Sequence, residues 1–124
     1  PRCPVQVVPG ERFGPVAIGM TRADVERLGL PARLPAQDRD YVSKDETDFV
    51  RGTVGPFWVE LEGDRVTRIR AALKSLPKCV RLSEGASEID LKPAGAMKIA
   101  PRAGLALFTS RSGVDVEVEA TLRE

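Results

Sequence analysis

Val114-Asp115-Val116-Glu117-Val118-Glu119-Ala120-Thr121-Leu122-Arg123 alternates apolar and polar residues without a break. Successive side chains of an extended strand point to opposite faces. Val114, Val116, Val118, Ala120 and Leu122 therefore share one side, and Asp115, Glu117, Glu119, Thr121 and Arg123 the other. One side belongs to a core and the other to water. Such alternation is expected of an antiparallel sheet with one wet face rather than of a parallel sheet buried on both.

The same pattern recurs upstream. Residues 104–109 form the partner of the last strand, turning through Ser110-Arg111-Ser112-Gly113. Phe57, Val59 and Leu61 alternate with Trp58, Glu60 and Glu62, and Gly63-Asp64 marks a hairpin turn into residues 66–73. In that returning strand Val66 has one parity while Ile69, Ala71 and Leu73 have the other. A bulge near Arg65 or Thr67 reconciles them. Residues 79–82 and 89–91 read as two short strands around the turn-forming Ser83-Glu84-Gly85-Ala86, and a Pro- and Gly-containing connection spans 92–101.

One helix is specified at both ends by Gly14-Pro15-Val16-Ala17-Ile18-Gly19-Met20-Thr21-Arg22-Ala23-Asp24-Val25-Glu26-Arg27-Leu28-Gly29-Leu30-Pro31. After a short strand and a turn, Thr21 can cap the first free N–H groups while Asp24 reaches back, with Met20 and Val25 as a hydrophobic staple. Gly29 suits a left-handed residue after Leu28, Leu30 can fold back toward Val25, and Pro31 ends the element. About two turns result, too few to stand without tertiary packing. The helix is the natural cover for the apolar face of the sheet. The expected fold is α+β over residues 1–124: one antiparallel sheet with a short N-terminal helix packed on one face, a two-layer sandwich.

Residues 31–48 are polar, with Pro31 and Pro35 followed by Asp38, Asp40, Asp45, Glu46 and Asp48 around Tyr41 and Val42. They read as a loop with one short edge strand. The carboxylates lack the spacing of a calcium loop, which leaves a solvated acidic loop or a recognition loop carrying Asp40, Tyr41 and Asp45.

A length of 124 residues suits one domain, and 42% hydrophobic with 30% charged residues is a globular composition with no bilayer-spanning run. Nineteen basic residues against eighteen acidic ones create no molecule-wide field to attract nucleic acid. The chain opens at Pro1 with no Met and no apolar signal region, so a preceding segment is expected to have been processed or trimmed away. Cys3 and Cys79 are too far apart for a zinc ribbon or redox pair and read best as one long-range disulfide tying a loose N-terminus to the sheet. Two free thiols, or a lipid-anchored Cys3, are the alternatives.

The sequence contains no histidine, which removes the commonest general base and the commonest nitrogen metal ligand. There is also no Gly-rich phosphate loop, nucleophile elbow or metal-ligand cluster. No catalytic residue, metal or cofactor is expected.

The segment from Ile18 to Val25, followed by Leu28-Gly29 and Pro31, resembles the Gly-Met-Thr/Ser, helix, Leu-Gly-x-Pro signature of SmpA/OmlA lipoproteins and of the β-lactamase-inhibitor-protein-like fold. Leu61-Glu62-Gly63-Asp64-Arg65-Val66 looks like their strand-turn-strand segment. Together these cover less than half of the chain. The resemblance implies a helical layer on an antiparallel sheet, a bacterial envelope or extracellular location, and protein–protein contact rather than chemistry. The chain departs from the pattern in having no evident helix before Gly14 and a strand-rich C-terminal half.

With Phe57, Val59 and Leu61 inward, Trp58 falls on the wet face beside Glu60, and Arg68 and Arg70 join it if the bulge precedes them. These four residues and the 31–48 loop form the candidate partner-binding surface, since aromatics and arginines carry much binding energy. The simpler alternative for Trp58 is stacking against an arginine or cover by that loop. The leading expectation is a periplasmic or extracellular protein-binding module, with an inhibitor or immunity protein as a special case. Its rival is a structural subunit of an envelope assembly that self-associates through an exposed β-edge. The weakest reading is a carboxylate hydrolase using Glu60 and Glu117.

Overall fold

In the computed structural model, which describes residues 3–35, 49–92 and 99–121, the alternating segments form two sheets. The elements are β1 (Val5–Val8), β2 (Arg12–Phe13), β3 (Val16–Ala17), α1 (Arg22–Glu26), β4 (Ala32–Arg33), β5 (Phe49–Val54) and β6 (Phe57–Glu62). They continue with β7 (Arg65–Ala72), β8 (Val80–Glu84), β9 (Ser87–Asp90), β10 (Leu105–Ser110) and β11 (Gly113–Glu119). The five-stranded sheet runs β3-β2-β1-β8-β9 and the six-stranded sheet β10-β11-β7-β6-β5-β4. Among the described residues β1 and β8 pair in parallel, and every other named strand pairing is antiparallel.

The protein is thus predominantly β, with the expected antiparallel pairing and one short helix, but its strands form two sheets rather than one. The helix spans only five residues and buries one side chain, Val25, which is too little to cover a six-stranded sheet. The five-stranded sheet does most of that work. Its Val5, Val7, Phe13, Val16, Val80 and Leu82 share one hydrophobic cluster with Val54, Val59, Leu61, Val66, Ile69, Val116 and Val118 of the larger sheet. Phe13 meets Phe57 edge-to-face, with ring centroids 5.2 Å apart.

Local sequence does set the start of the helix, which ends at Glu26, short of the expected Leu28. The Thr21 hydroxyl accepts from the Asp24 N–H at 3.2 Å, and the Asp24 carboxylate accepts from the Thr21 N–H at 3.1 Å, completing the capping box. Hydrogen bonding from the Thr21 backbone N–H, and then from its side chain, holds the Asp24 carboxyl below its ordinary range. Gly29 takes φ +77° beyond the last turn. The Leu30 side chain lies near Gly55, in the turn between β5 and β6.

The segment that follows Cys3 is not a loose end. Val5-Gln6-Val7-Val8, between Pro4 and Pro9, is the central strand of its sheet, with Val5 opposite Val80 and Val7 opposite Leu82. Cys3 and Cys79 form the expected disulfide just before that register begins, Cα atoms 5.2 Å apart. A parallel pair cannot be closed by a tight turn, so the covalent link holds together strands that lie far apart in the chain.

The expected bulge is present at Thr67. Leu61 faces Val66 and Glu60 faces Arg68, which leaves Thr67 as the extra residue of β7. Its carbonyl accepts from the Ala120 N–H at 2.9 Å, and its hydroxyl donates to the Glu60 carbonyl at 3.3 Å.

Two contacts tie the sheets together at their loops. Arg102, ahead of β10, forms an ion pair with Glu84 at the end of β8. The Gly104 carbonyl accepts from the N–H groups of both Gly10 and Glu119, each at 3.1 Å. Gly104 has φ +82°, and a Cβ there would overlap the Gly10 nitrogen and lie 2.7 Å from its Cα. Only glycine fits this crossing.

Two outcomes follow for stability. A Cys3→Ser/Cys79→Ser variant should unfold at lower denaturant, with a loss of about 2–4 kcal/mol; an unchanged midpoint would mean that the parallel pair needs no covalent closure. Gly104→Ala should cost more than about 1 kcal/mol. It should also exceed the cost of Gly85→Ala, where a left-handed backbone meets open space.

Candidate functional site

The outer face of the six-stranded sheet is built by strand parity and by the bulge. Across β5, β6, β7 and β11, Arg51 pairs with Glu60, Glu60 with Arg68 and Arg68 with Glu119. The neighbouring row runs Thr53, Trp58, Arg70, Glu117 and Ala106, and the next places Ala72, Asp115 and Phe108 together. The sequence-derived set Trp58, Glu60, Arg68 and Arg70 is therefore brought onto one surface. Asp40, Tyr41 and Asp45 lie outside the described residues.

The charges on this face are unequally shared. Arg68 reaches three carboxylates: Glu60 at 3.5 Å, Glu119 at 3.4 Å and Glu117 at 3.7 Å. Arg51 meets Glu60 at 3.4 Å from a largely exposed position. Arg70 is drawn the other way, to Asp115 at 3.1 Å, and its guanidinium lies 4.2 Å from the centre of the Phe108 ring. Arginine stacking thus falls on Phe108, not on Trp58.

Trp58 is 63% exposed. Phe49 and Phe108 are also exposed on this face, so it carries three of the four exposed large apolar side chains among the described residues, the fourth being Ile89 of β9. Trp58 borders a groove of about 450 Å³ whose charged walls are Arg51, Glu60, Arg68, Arg70, Asp115 and Glu117. A second groove of about 610 Å³ lies on the far side of Glu60 and Arg68, lined by Phe49, Glu62 and Glu119 among others.

Glu117 departs from expectation. Alternation assigns it to solvent, yet it is only 7% exposed. In register it lies between Arg70 on β7 and the small Ala106 on β10, so long arginine side chains close over a shorter one. Burial pushes its carboxyl above the usual range; Arg68 and Arg70 oppose the shift, while Glu119 and Glu60 add to it.

Strand parity alone could not reveal Glu117, because its cover comes from neighbouring strands. Phe108 and Phe49 were legible in principle, since each shares the parity of exposed positions in its own strand. Among the described residues no three metal-ligating side chains stand together, and no helix is long and apolar enough to cross a membrane. No protein-family model, curated protein or solved structure matches the chain.

The raised Glu117 carboxyl has a consequence for stability against pH. The folded chain holds this proton more tightly than the unfolded chain, so stability falls as pH rises from the ordinary carboxylate range through the folded value. The cost is absent when both states are protonated and complete when both are ionised. Glu117→Gln should therefore raise the melting temperature at pH 7 by about 2–4 °C, a gain that vanishes below about pH 4. An equal gain at both pH values would show that the effect does not come from ionisation.

Proposed function

We propose that this chain is a non-catalytic protein-binding module of the bacterial envelope or extracellular space, docking its partner on the outer face of the six-stranded sheet. The exposed Trp58 carries the reading. A solvent-facing indole at the edge of one groove, with a second groove beyond Glu60 and Arg68 and further aromatics and ion-paired arginines on the same face, has the composition of an interface hot spot. An inhibitor or immunity protein is a special case of this function.

The disulfide fits an oxidising, non-cytoplasmic setting. The bacterial envelope setting rests further on the likeness of the capped helix segment to SmpA/OmlA and β-lactamase-inhibitor-protein-like domains. Against the hydrolase reading, Glu60 and Glu117 share the Arg68 guanidinium at 3.5 and 3.7 Å, an arrangement of ion pairing across the sheet rather than of an acid beside a base.

A structural role by strand addition has its own support. β10 is the last strand of its sheet among the described residues, is six residues long, and carries the exposed Phe108. Concentration-dependent sedimentation would favour that role, and a strict monomer would count against a homo-oligomeric form of it.

The discriminating experiment is affinity capture from envelope and extracellular fractions with the disulfide oxidised. Trp58→Ala should leave the unfolding midpoint unchanged and weaken retention of a specific protein by about tenfold or more. Equal retention by both forms would remove this face from the interface.

A further inference from the structure

The walls of the two grooves hold five carboxylates, those of Glu60, Glu62, Asp115, Glu117 and Glu119. Against them stand three guanidiniums, Arg51, Arg68 and Arg70; the Trp58 groove holds three of each, and the two further carboxylates, Glu62 and Glu119, line the second groove. The whole chain carries a formal charge of +1, so negative charge is gathered on this face. The imbalance is sharpest at Glu117. Its side chain is nine-tenths buried and lines the Trp58 groove, and the nearest ion-pairing nitrogen, of Arg68, is 3.7 Å away. Among the described residues no hydrogen-bond donor reaches its carboxylate. Arg68 is divided among three carboxylates, and Arg70 is committed to Asp115 and Phe108.

A buried carboxylate gains most from a charged donor brought to it. An anionic occupant would bring a second negative charge to Glu117, and an apolar one would desolvate Glu117 further without pairing it. The exposed indole of Trp58 supplies an aromatic face on the same groove, which also favours a cation. We propose that the Trp58 groove seats a lysine or arginine side chain of a protein partner, its charge held between the indole and the carboxylates of Glu117 and Asp115. This assignment rests on the protein-binding reading and specifies the chemistry of the partner.

The test uses the oxidised chain and capped pentapeptides, acetyl-Gly-Gly-X-Gly-Gly-amide, in which X is lysine, arginine, norleucine, glutamate or Nε-acetyl-lysine. In an NMR titration the lysine or arginine probe should shift the amides of Trp58, Arg70 and Glu117 saturably. It should bind about tenfold more tightly than the norleucine probe. The acetyl-lysine probe, similar in shape but uncharged, should bind no better than norleucine. Glu117→Gln should lose about the same tenfold.

Equal binding of charged and uncharged probes would overturn the assignment, and that comparison needs no variant to fold. Envelope capture separates this failure from failure of the broader reading. If Trp58→Ala loses the partner while Glu117→Gln and excess lysine probe leave it bound, the face docks a protein without a basic anchor, and only the present inference falls. If none of the three affects capture and no probe binds, both fall.

Discussion

The surface depends on one extra residue in β7. Without Thr67 as a bulge, Val66 and Ile69 could not both face the core, and Arg68 would point inward opposite Val59. With it, Val66, Ile69 and Ala71 are all buried while Arg68 and Arg70 stand beside Glu60 and Trp58. The bulge is held from both sides, by Ala120 following β11 and by the carbonyl of Glu60 on β6. On the helix side, Met20 accepts from the Val66 N–H at 2.8 Å, and Val66 accepts from the Gly19 N–H at the same distance. The capped helix thus has a structural use even though it buries little: it anchors the start of the bulged strand.

Electrostatics on the outer face follow from that placement. Exposed ion pairs contribute little individually, on the order of 0–1 kcal/mol. The arrangement matters more for shape, because pairing fixes where the long arginine side chains lie. Arg68 extends over Glu60, Glu117 and Glu119, while Arg70 turns to Asp115 and Phe108, and the space between them remains open under Trp58. The same arrangement buries the Glu117 carboxylate without giving it a hydrogen bond among the described residues. Such a feature carries a cost to the isolated fold.

The second sheet backs this surface through the shared core. A helix of five residues could not have backed six strands, and the chain brings in β1 and β8 instead, closed by Cys3 and Cys79. Gly104 and the Arg102–Glu84 pair then lock the loops of one sheet to those of the other. Lys92 adds a smaller tie, donating to the carbonyls of Leu73 and Leu76 at 2.8 and 3.0 Å around the short 3-10 turn Leu73–Ser75.

Alternation by itself determined β6, the β10–β11 hairpin, the exposure of Trp58 and the need for a bulge near Thr67, because strand parity is a local property. Capping chemistry likewise determined the start of α1, and two isolated cysteines pointed to their own bond. The parallel pairing of β1 with β8 was not legible, since four residues between prolines give no periodic signal and their partner lies more than seventy positions away. Nor was the burial of Glu117, or the choice of Phe108 over Trp58 as the ring beneath an arginine. Those depend on which strands become neighbours and on where long side chains lie across them, and only tertiary structure decides that.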